Sequence, residues 1–282
     1  MGLCSQHGKN LCLLYMEYAV AIPSYKRANL LLTNTLKTLI DGSVSPERIY
    51  IFVANKEEEA EYLETIPKDM YFKIVVGELL LRNQRNFITR YFPEGTLLVE
   101  FDDDVKQVLK LITGEGETRE EQKKNNKVVK LEDIHSFIID AFNILIDNPK
   151  KPHLWGVYPA KNPFFLTDKV TDDLRFIVGC MWGKINRHDD ELTLTLKEKE
   201  DAERTLRHYK KDGSVIRFNN VSIDTKYYTT AGGYQASDMD RYVEAEHDAN
   251  YLVNEFPSFV KKYYKGKTQR PEVRFNRHAK RL

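Results

Sequence analysis

From Glu17 onward the apolar and polar positions switch between two periods, and the switching predicts strands alternating with helices. Tyr18-Ala19-Val20-Ala21-Ile22 is a continuous apolar run, the pattern of a strand buried on both faces. Pro23-Ser24 ends it, with Ser24 placed to cap the next helix. Leu32, Leu36 and Ile40 then recur at helical spacing, and Gly42 supplies the stop. The same reading gives strands at 49–53, 72–76 and 96–101, a short acidic helix at 57–63 and a helix at 80–91. Strands separated by helices of this length imply βαβ units and a mostly parallel sheet.

Residues 113–127 break the rhythm. Gly114-Glu115-Gly116-Glu117 and the charged run after it offer no apolar anchor, so a mobile surface loop is expected. An amphipathic helix follows at 131–146, with Ile134, Phe137, Ile138, Ala141, Phe142 and Leu145 on one face. Further strands are expected at 154–158, 175–182, 215–218 and 227–228, and helices at 197–209 and 238–254. There is no internal repeat and no Pro-rich linker. The simplest organisation is an extension at 1–15, one domain at 16–256 (halves at about 16–112 and about 130–256) and a C-terminal tail at 257–282.

Composition refines this picture in two places. With 282 residues, 41% hydrophobic and 11% aromatic, the chain can bury a sizeable core and is not disordered. The net charge of +1 hides an asymmetry, because residues 257–282 carry nine Lys or Arg against the single acid Glu272. A local +8 on a body of about −7 reads either as an anion-contacting element or as a solvated terminus. Cys4, Cys12 and Cys180 offer neither metal spacing nor a disulfide framework, so a reducing cytoplasm is the expectation. The apolar run at 11–22 is interrupted by Glu17 and too short to span a bilayer.

The most informative residues are Asp102, Asp103 and Asp104, which follow the apolar run Gly95-Thr96-Leu97-Leu98-Val99-Glu100-Phe101. Three adjacent carboxylates at a strand end repel one another unless a cation shares them, and oxygen ligands of this kind suit Mg²⁺ or Mn²⁺. An acidic loop after an edge strand is the plainer alternative. The C-terminal end of a parallel strand, where α/β sheets bind ligands, favours the metal. Upstream, Arg82-Asn83-Gln84-Arg85-Asn86 places five polar side chains in succession on a helix. They cannot all face solvent, so some must point into a cleft or be satisfied in the core.

Together, the strand ending in Pro23-Ser24-Tyr25-Lys26-Arg27, the Arg85-Asn86 segment and the strand closing in three aspartates resemble the nucleotide-sugar half of a GT-A glycosyltransferase. The resemblance implies an α/β GT-A fold with a mostly parallel central sheet flanked by helices. It implies a nucleoside-diphosphate sugar, a UDP-sugar foremost, held by Pro23, Ser24, Tyr25, Arg27, Arg85, Asn86, Asp102 and Asp103. Mn²⁺ or Mg²⁺ would sit on Asp104 and Asp102, neutralising the diphosphate leaving group. Lys199-Glu200-Asp201 is similar to the Glu-Asp pair of inverting members, with Asp201 as the base and Glu200 binding the acceptor. The surrounding run is so charged that a solvated Glu-Asp is the competing explanation.

In the second half, the segment Trp155-Gly156-Val157-Tyr158-Pro159-Ala160-Lys161-Asn162-Pro163-Phe164-Phe165 is followed by Phe176-Ile177-Val178-Gly179, Thr225-Lys226-Tyr227-Tyr228 and Gly232-Gly233. These resemble the glycosyltransferases associated with DNA base-oxidising dioxygenases in phages, large viruses and base-J synthesis. That likeness implies 5-hydroxymethylpyrimidine in DNA as acceptor, with Tyr158, Asn162, Trp182, Gly232 and Gly233 beside it. Aromatics there could stack on a base or sugar; core packing explains Phe164 and Phe165 equally well. His247 and His278 are candidates for a third metal ligand, and a solvated histidine is the alternative for each. The competing functions are transfer to a glycan, protein or small molecule, and a catalytically idle binding module. A nucleotidyltransferase is disfavoured because its Gly-rich phosphate loop with a following Lys is absent.

Overall fold

The computed structural model describes residues 16–225 and 238–278. The expected extension at 1–15, the strand at 227–228 and the pair Gly232-Gly233 lie outside the described residues. Among the described residues, no helix is long and apolar enough to cross a membrane.

The apolar run at the start forms β1 (Tyr18–Pro23), buried along its whole length. Its side chains alternate between two cores, Val20 and Ile22 on one face and Ala19 and Ala21 on the other. The chain then builds β2 (Ile49–Val53) and β3 (Lys73–Val76) outward on one side of β1. It returns to lay β4 (Leu97–Phe101) on the other side, all four strands being parallel. The gap between β1 and β4 is therefore a topological switch point, where such sheets leave a ligand crevice at the strand C-termini.

Beyond β4 the sheet becomes mixed. The remaining strands are β5 (Val105–Ile112), β6 (Lys127–Lys130), β7 (Leu154–Tyr158), β8 (Val170–Thr171), β9 (Met181–Ile185) and β10 (Ile216–Thr225). The order is β3-β2-β1-β4-β9-β7-β10-β5-β6, with β8 against β10, ten strands in all. Only β5, β8 and β9 run opposite to the rest, so seven of the ten share one direction.

Helices cover both faces. We name α1 the continuous run Ala28–Leu31, Leu32–Leu36 and Lys37–Asp41, whose middle third is a π-turn and which ends at Gly42. The others are α2 (Lys56–Thr65), α3 (Leu81–Tyr91), α4 (Arg119–Asn125), α5 (Ile134–Asp147), α6 (Glu200–Asp212) and α7 (Asp238–Glu255). The largest core packs α1 and α5 against the sheet around Phe142, Trp155 and Phe218. A second joins α6 and α7 through Leu206, Leu252, Phe256 and Phe259. Close packing leaves no room beside Gly183, where an added Cβ would meet the Trp155 ring at 2.4 Å.

Several sequence expectations need correction. Ser24 does not cap α1, whose N-cap is Arg27; the Ser24 hydroxyl is used elsewhere. The segment 113–127 holds α4, which buries none of its residues and starts in a capping box between Thr118 and Glu121. Caps and the hydrogen bond from Asn126 Nδ2 to the Pro163 carbonyl (3.0 Å) hold this segment, where an apolar face would hold a longer helix. The strand expected at 175–182 begins only at Met181, and 215–218 belongs to the ten-residue β10. Strands β5 and β6 were not expected from the pattern.

The basic C-terminal segment is not a solvated tail over most of its length. It forms an antiparallel hairpin, β11 (Val260–Lys265) and β12 (Arg270–Phe275). Phe259, Val260, Val273 and Phe275 anchor it to the second core. Full burial of such a side chain stabilises by about 1.5–3 kcal/mol, so Phe259 and Val260 contribute most and the partly buried Val273 and Phe275 less.

Candidate active site

The switch point is where the charged residues gather. The loop after β1 is tied to the aspartate triplet: the Ser24 hydroxyl donates to Asp103 Oδ2 (2.7 Å) and Arg27 Nη1 lies 3.2 Å from Asp103 Oδ1. Tyr62 on α2 closes the network at 2.7 Å from Ser24 Oγ. Asp103 is buried, and burial pushes its carboxyl up to about 6 against the Ser24 hydrogen bond and the Arg27 charge. With both oxygens engaged, Asp103 is a fastener between two loops.

Asp102 and Asp104 remain partly exposed at the crevice. Asp102 Oδ1 accepts from Arg85 Nη2 (3.0 Å), and Asp104 Oδ1 accepts from Thr225 Oγ1 (2.5 Å) at the end of β10. Thr35 of α1 holds the turn itself, its hydroxyl donating to the Asp102 carbonyl (2.7 Å) and accepting from the Val105 amide (2.9 Å). Burial raises the Asp102 pKa, the neighbouring Asp104 charge raises it further, and Arg85 opposes both. Two carboxylates that line the same cavity with one residue between them, the charge of Asp104 raising the pKa of Asp102, fit a hard divalent cation.

Arg85 is the centre of the site. Its guanidinium is 2% exposed and reaches Glu100 (3.3 Å), Asp102 (3.0 Å), Glu200 (3.3 Å) and the Gly179 carbonyl (3.2 Å). Burial alone would lower its pKa, but Glu200, Asp102 and Glu100 outweigh this and raise it. Glu100 is itself fully buried, with Lys184 supplying a second positive charge nearby. One cation thus ties the acidic end of β4 to the first turn of α6.

That first turn carries Glu200 and Asp201. Asp201 Oδ1 accepts from the Ala202 amide (2.8 Å), and burial and the Glu200 charge push its carboxyl up to about 7. A carboxylate poised near neutrality suits proton abstraction. Arg204, one turn on, lies buried with its guanidinium carbon 3.9 Å from the Trp182 ring centroid. Pro23, Tyr25, Asp102, Asp104, Cys180 and Asp201 all face one cavity of about 260 Å³.

The structure gathers Pro23, Ser24, Tyr25, Arg27, Arg85, Asp102, Asp103, Asp104, Glu200 and Asp201 around that cavity. Other candidates fall elsewhere. Asn86 turns both ends of its amide to the Leu194 backbone, Nδ2 to O at 2.8 Å and N to Oδ1 at 3.0 Å, fixing a loop instead of meeting a nucleoside. Trp182 is 1% exposed and belongs to the second core. Asn162 caps the turn Pro163–Phe165 through the Phe164 amide (3.1 Å), and Tyr158 lies 5.0 Å beneath Arg217. Phe164 and Phe165 are exposed, so core packing does not explain them.

His247 is turned to Asp248 (3.1 Å) and does not line the cavity, and His278 lines a different groove. Glu244, His247 and Asp248 do converge on α7, but Lys197 pairs with Glu244 and the Glu198 amide binds Asp248. Sequence reasoning missed Thr35, Glu100, Arg204 and Thr225. An acid between Val99 and Phe101 in a strand buried on both faces was a usable signal for Glu100. Thr225 stands in a segment that bears the second-half resemblance, but nothing local tells that it meets Asp104 across 121 positions.

No family model matches the chain, and no curated protein matches it. Among solved structures, it is similar to TarS residues 1–349 from S. aureus, with 12% identity over 85% of this chain and 66% of that one, and a TM-score of 0.48. Against the longer TarS structure it spans 40% of that chain's length. It is also similar to glucosyl-3-phosphoglycerate synthase from Mycobacterium tuberculosis, solved with Mn²⁺, UDP and glucosyl-3-phosphoglycerate. There the identity is 8% over 98% of this chain and 93% of that one, with a TM-score of 0.46. At such scores these likenesses carry no argument about chemistry, which rests on the side chains above.

Proposed function

We propose that this chain is a metal-dependent, inverting glycosyltransferase of the GT-A type, taking its sugar from a nucleoside-diphosphate donor. The observation that carries the reading is the reach of Arg85, one buried guanidinium bound at once to Asp102 and to Glu200. It ties the turn that carries Asp102 and Asp104 to the helix start that carries Glu200 and Asp201, and all four carboxylates line one cavity.

In this reading Asp102 and Asp104 would hold Mn²⁺ or Mg²⁺, which neutralises charge developing on the diphosphate when bound. Asp201 takes the proton of the acceptor hydroxyl as that oxygen bonds to the anomeric carbon. The bond from that carbon to the diphosphate breaks with its electron pair leaving on the diphosphate oxygen. Glu200, held by Arg85, borders the acceptor side, and its charge keeps the Asp201 carboxyl basic. Asp103, Ser24 and Arg27 fix the donor-side loop against the aspartates.

The donor we favour is a UDP-sugar, and the acceptor a hydroxyl of 5-hydroxymethylpyrimidine in DNA, supported by the second-half motifs around Tyr158 to Phe165. The test incubates the protein with Mn²⁺, a panel of nucleotide sugars, and hydroxymethylated or plain DNA, followed by digestion and nucleoside mass measurement. We expect one sugar mass added to the hydroxymethylated nucleoside only. Transfer to a glycan or small acceptor with none to DNA would replace the acceptor and keep the chemistry. Absence of transfer and of donor hydrolysis with every sugar would remove the reading.

A further inference from the structure

Next to the aspartate cavity, and sharing Val178, Glu198 and Asp201 with it, runs a larger groove of about 900 Å³. One wall is the β11–β12 hairpin. The groove is lined by eight Lys or Arg side chains against three carboxylates, Glu198, Asp201 and Glu272. Strand alternation puts Lys261, Tyr263 and Lys265 on the groove face, opposite Arg274, Glu272 and Arg270 respectively. Two of those three cross-strand pairs join like charges, Lys261 with Arg274 and Lys265 with Arg270, an arrangement that weakens a hairpin. The other face spends its lysine differently, Lys262 binding Glu246 of α7 at 2.5 Å.

Part of the positive charge is already matched: Lys199 pairs with Glu272 (3.0 Å) and Arg270 with Glu198 (2.8 Å). Lys261, Lys265, Arg274 and Arg277 make no ion pair among the described residues, and Lys261, Lys265, Arg274 and Arg277 are all exposed. The Tyr263 ring, 36% exposed, lies on the same face with the Arg274 guanidinium 5.0 Å from its centroid. A row of uncompensated cations set at strand spacing around an accessible aromatic ring matches a charged backbone carrying flat bases. A neutral glycan would leave the like-charge pairs unrelieved.

We propose that this groove binds a single nucleic-acid strand, with backbone phosphates on Lys261, Lys265, Arg274 and Arg277 and a base against Tyr263. The strand then delivers its reactive nucleotide to Asp201, where groove and cavity meet. Asp201 lies partly buried, so a nucleotide reaching it must be out of a duplex stack. This rests on the proposed transferase only for the purpose of the groove; the binding itself is independent of transfer.

The test is fluorescence anisotropy of the protein with a labelled 16-nucleotide single-stranded DNA, titrated at rising NaCl. Four phosphate contacts give a log–log salt slope of about −3, so affinity should fall about 50-fold between 50 and 200 mM. The triple variant Lys261→Ala, Lys265→Ala, Arg274→Ala should retain only about a 3-fold fall over the same interval. Lys262→Ala removes the same charge from the opposite face and should leave the slope as it was. Thermal unfolding of each variant separates lost binding from lost fold, and the three single substitutions serve if the triple variant unfolds.

A flat salt response in the unaltered protein, an equal effect of Lys262→Ala, or polyphosphate bound as tightly as DNA would overturn the proposal. DNA binding without sugar transfer would uphold the groove and count against the transferase. Transfer to a small acceptor without DNA binding would do the reverse.

Discussion

Replacing Arg85 with Met removes the cation that three carboxylates share while preserving much of the side chain's apolar bulk. Glu100 is fully buried and Glu200 nearly so, whereas Asp102 has a third of its side chain exposed and contributes less. Stripping one partner from a buried ion pair costs about 3–5 kcal/mol, and with two buried acids left behind we expect the upper part of that range at pH 8. For a chain of this size that lowers Tm by roughly 8–20 °C. The loss has a pH signature. Burial already raises the Glu100 pKa, and without Arg85 it rises further. A carboxyl whose native pKa exceeds its unfolded value keeps its proton longer in the native state, so stability falls as pH rises between the two. Arg85→Met should therefore be less damaging at pH 5 than at pH 8. Adding Glu100→Gln should recover about 1–3 kcal/mol, since the two sites are directly coupled. Thermal and urea unfolding at both pH values measure all of this. A variant within about 1 kcal/mol of the parent at pH 8, or equally weakened at both pH values, would refute the idea that Arg85 neutralises the cluster.

Other outcomes follow from the same geometry. Asp104→Ala should abolish Mn²⁺-dependent UDP binding, read by calorimetry with and without the metal; undiminished metal-dependent binding would dismiss Asp104 as a ligand. Asp201→Asn keeps the size but cannot accept a proton, so turnover should fall roughly 10²–10⁴-fold with donor affinity nearly unchanged. Because Asp201 acts ionised and its carboxyl is pushed up to about 7, turnover of the parent should climb with pH through about 7 and then level off. A rate independent of pH between 5.5 and 8.5 would argue for another base. Gly183→Ala drives a methyl into the Trp155 ring and should cost about 1–3 kcal/mol of stability in urea unfolding, with little loss if the ring has room to retreat.

What could be read from the chain depended on how local the signal was. The parallel half of the sheet was legible because β1, β2 and β4 are short apolar runs whose burial follows their composition. The two acidic motifs were legible because each is contiguous. The run 82–86 was half legible: some of its polar side chains had to be buried, and they are Gln84 and Arg85, at 0% and 2% exposure. Which of them served the site was not, since that depended on Glu200 arriving from more than a hundred residues away. Asn86 and Trp182 misled for a related reason. A polar residue that fixes a loop and an aromatic that fills a core look, in one dimension, like ligands. Strands β5 and β6 went unnoticed because polar residues interrupt them irregularly while Ile112 and Val129 stand exposed, which blurs the alternation. The hairpin's charge was visible, but the pairing that aims it at one groove was not.

The sheet order has a consequence for the growing chain. β4 stays an open edge until β9 is made, and the β5–β6 ribbon cannot join the main sheet until β10 slots between β5 and β7. A nascent chain ending near residue 150 therefore carries a finished parallel half-sheet with one raw, apolar border and a loose ribbon beyond it. Such borders invite pairing with other chains. Thr225, the residue that clasps Asp104, is also the last of β10. The aspartate turn is thus clasped only when the strand that shuts the sheet is in place, so completion of the fold and completion of the aspartate loop are one event.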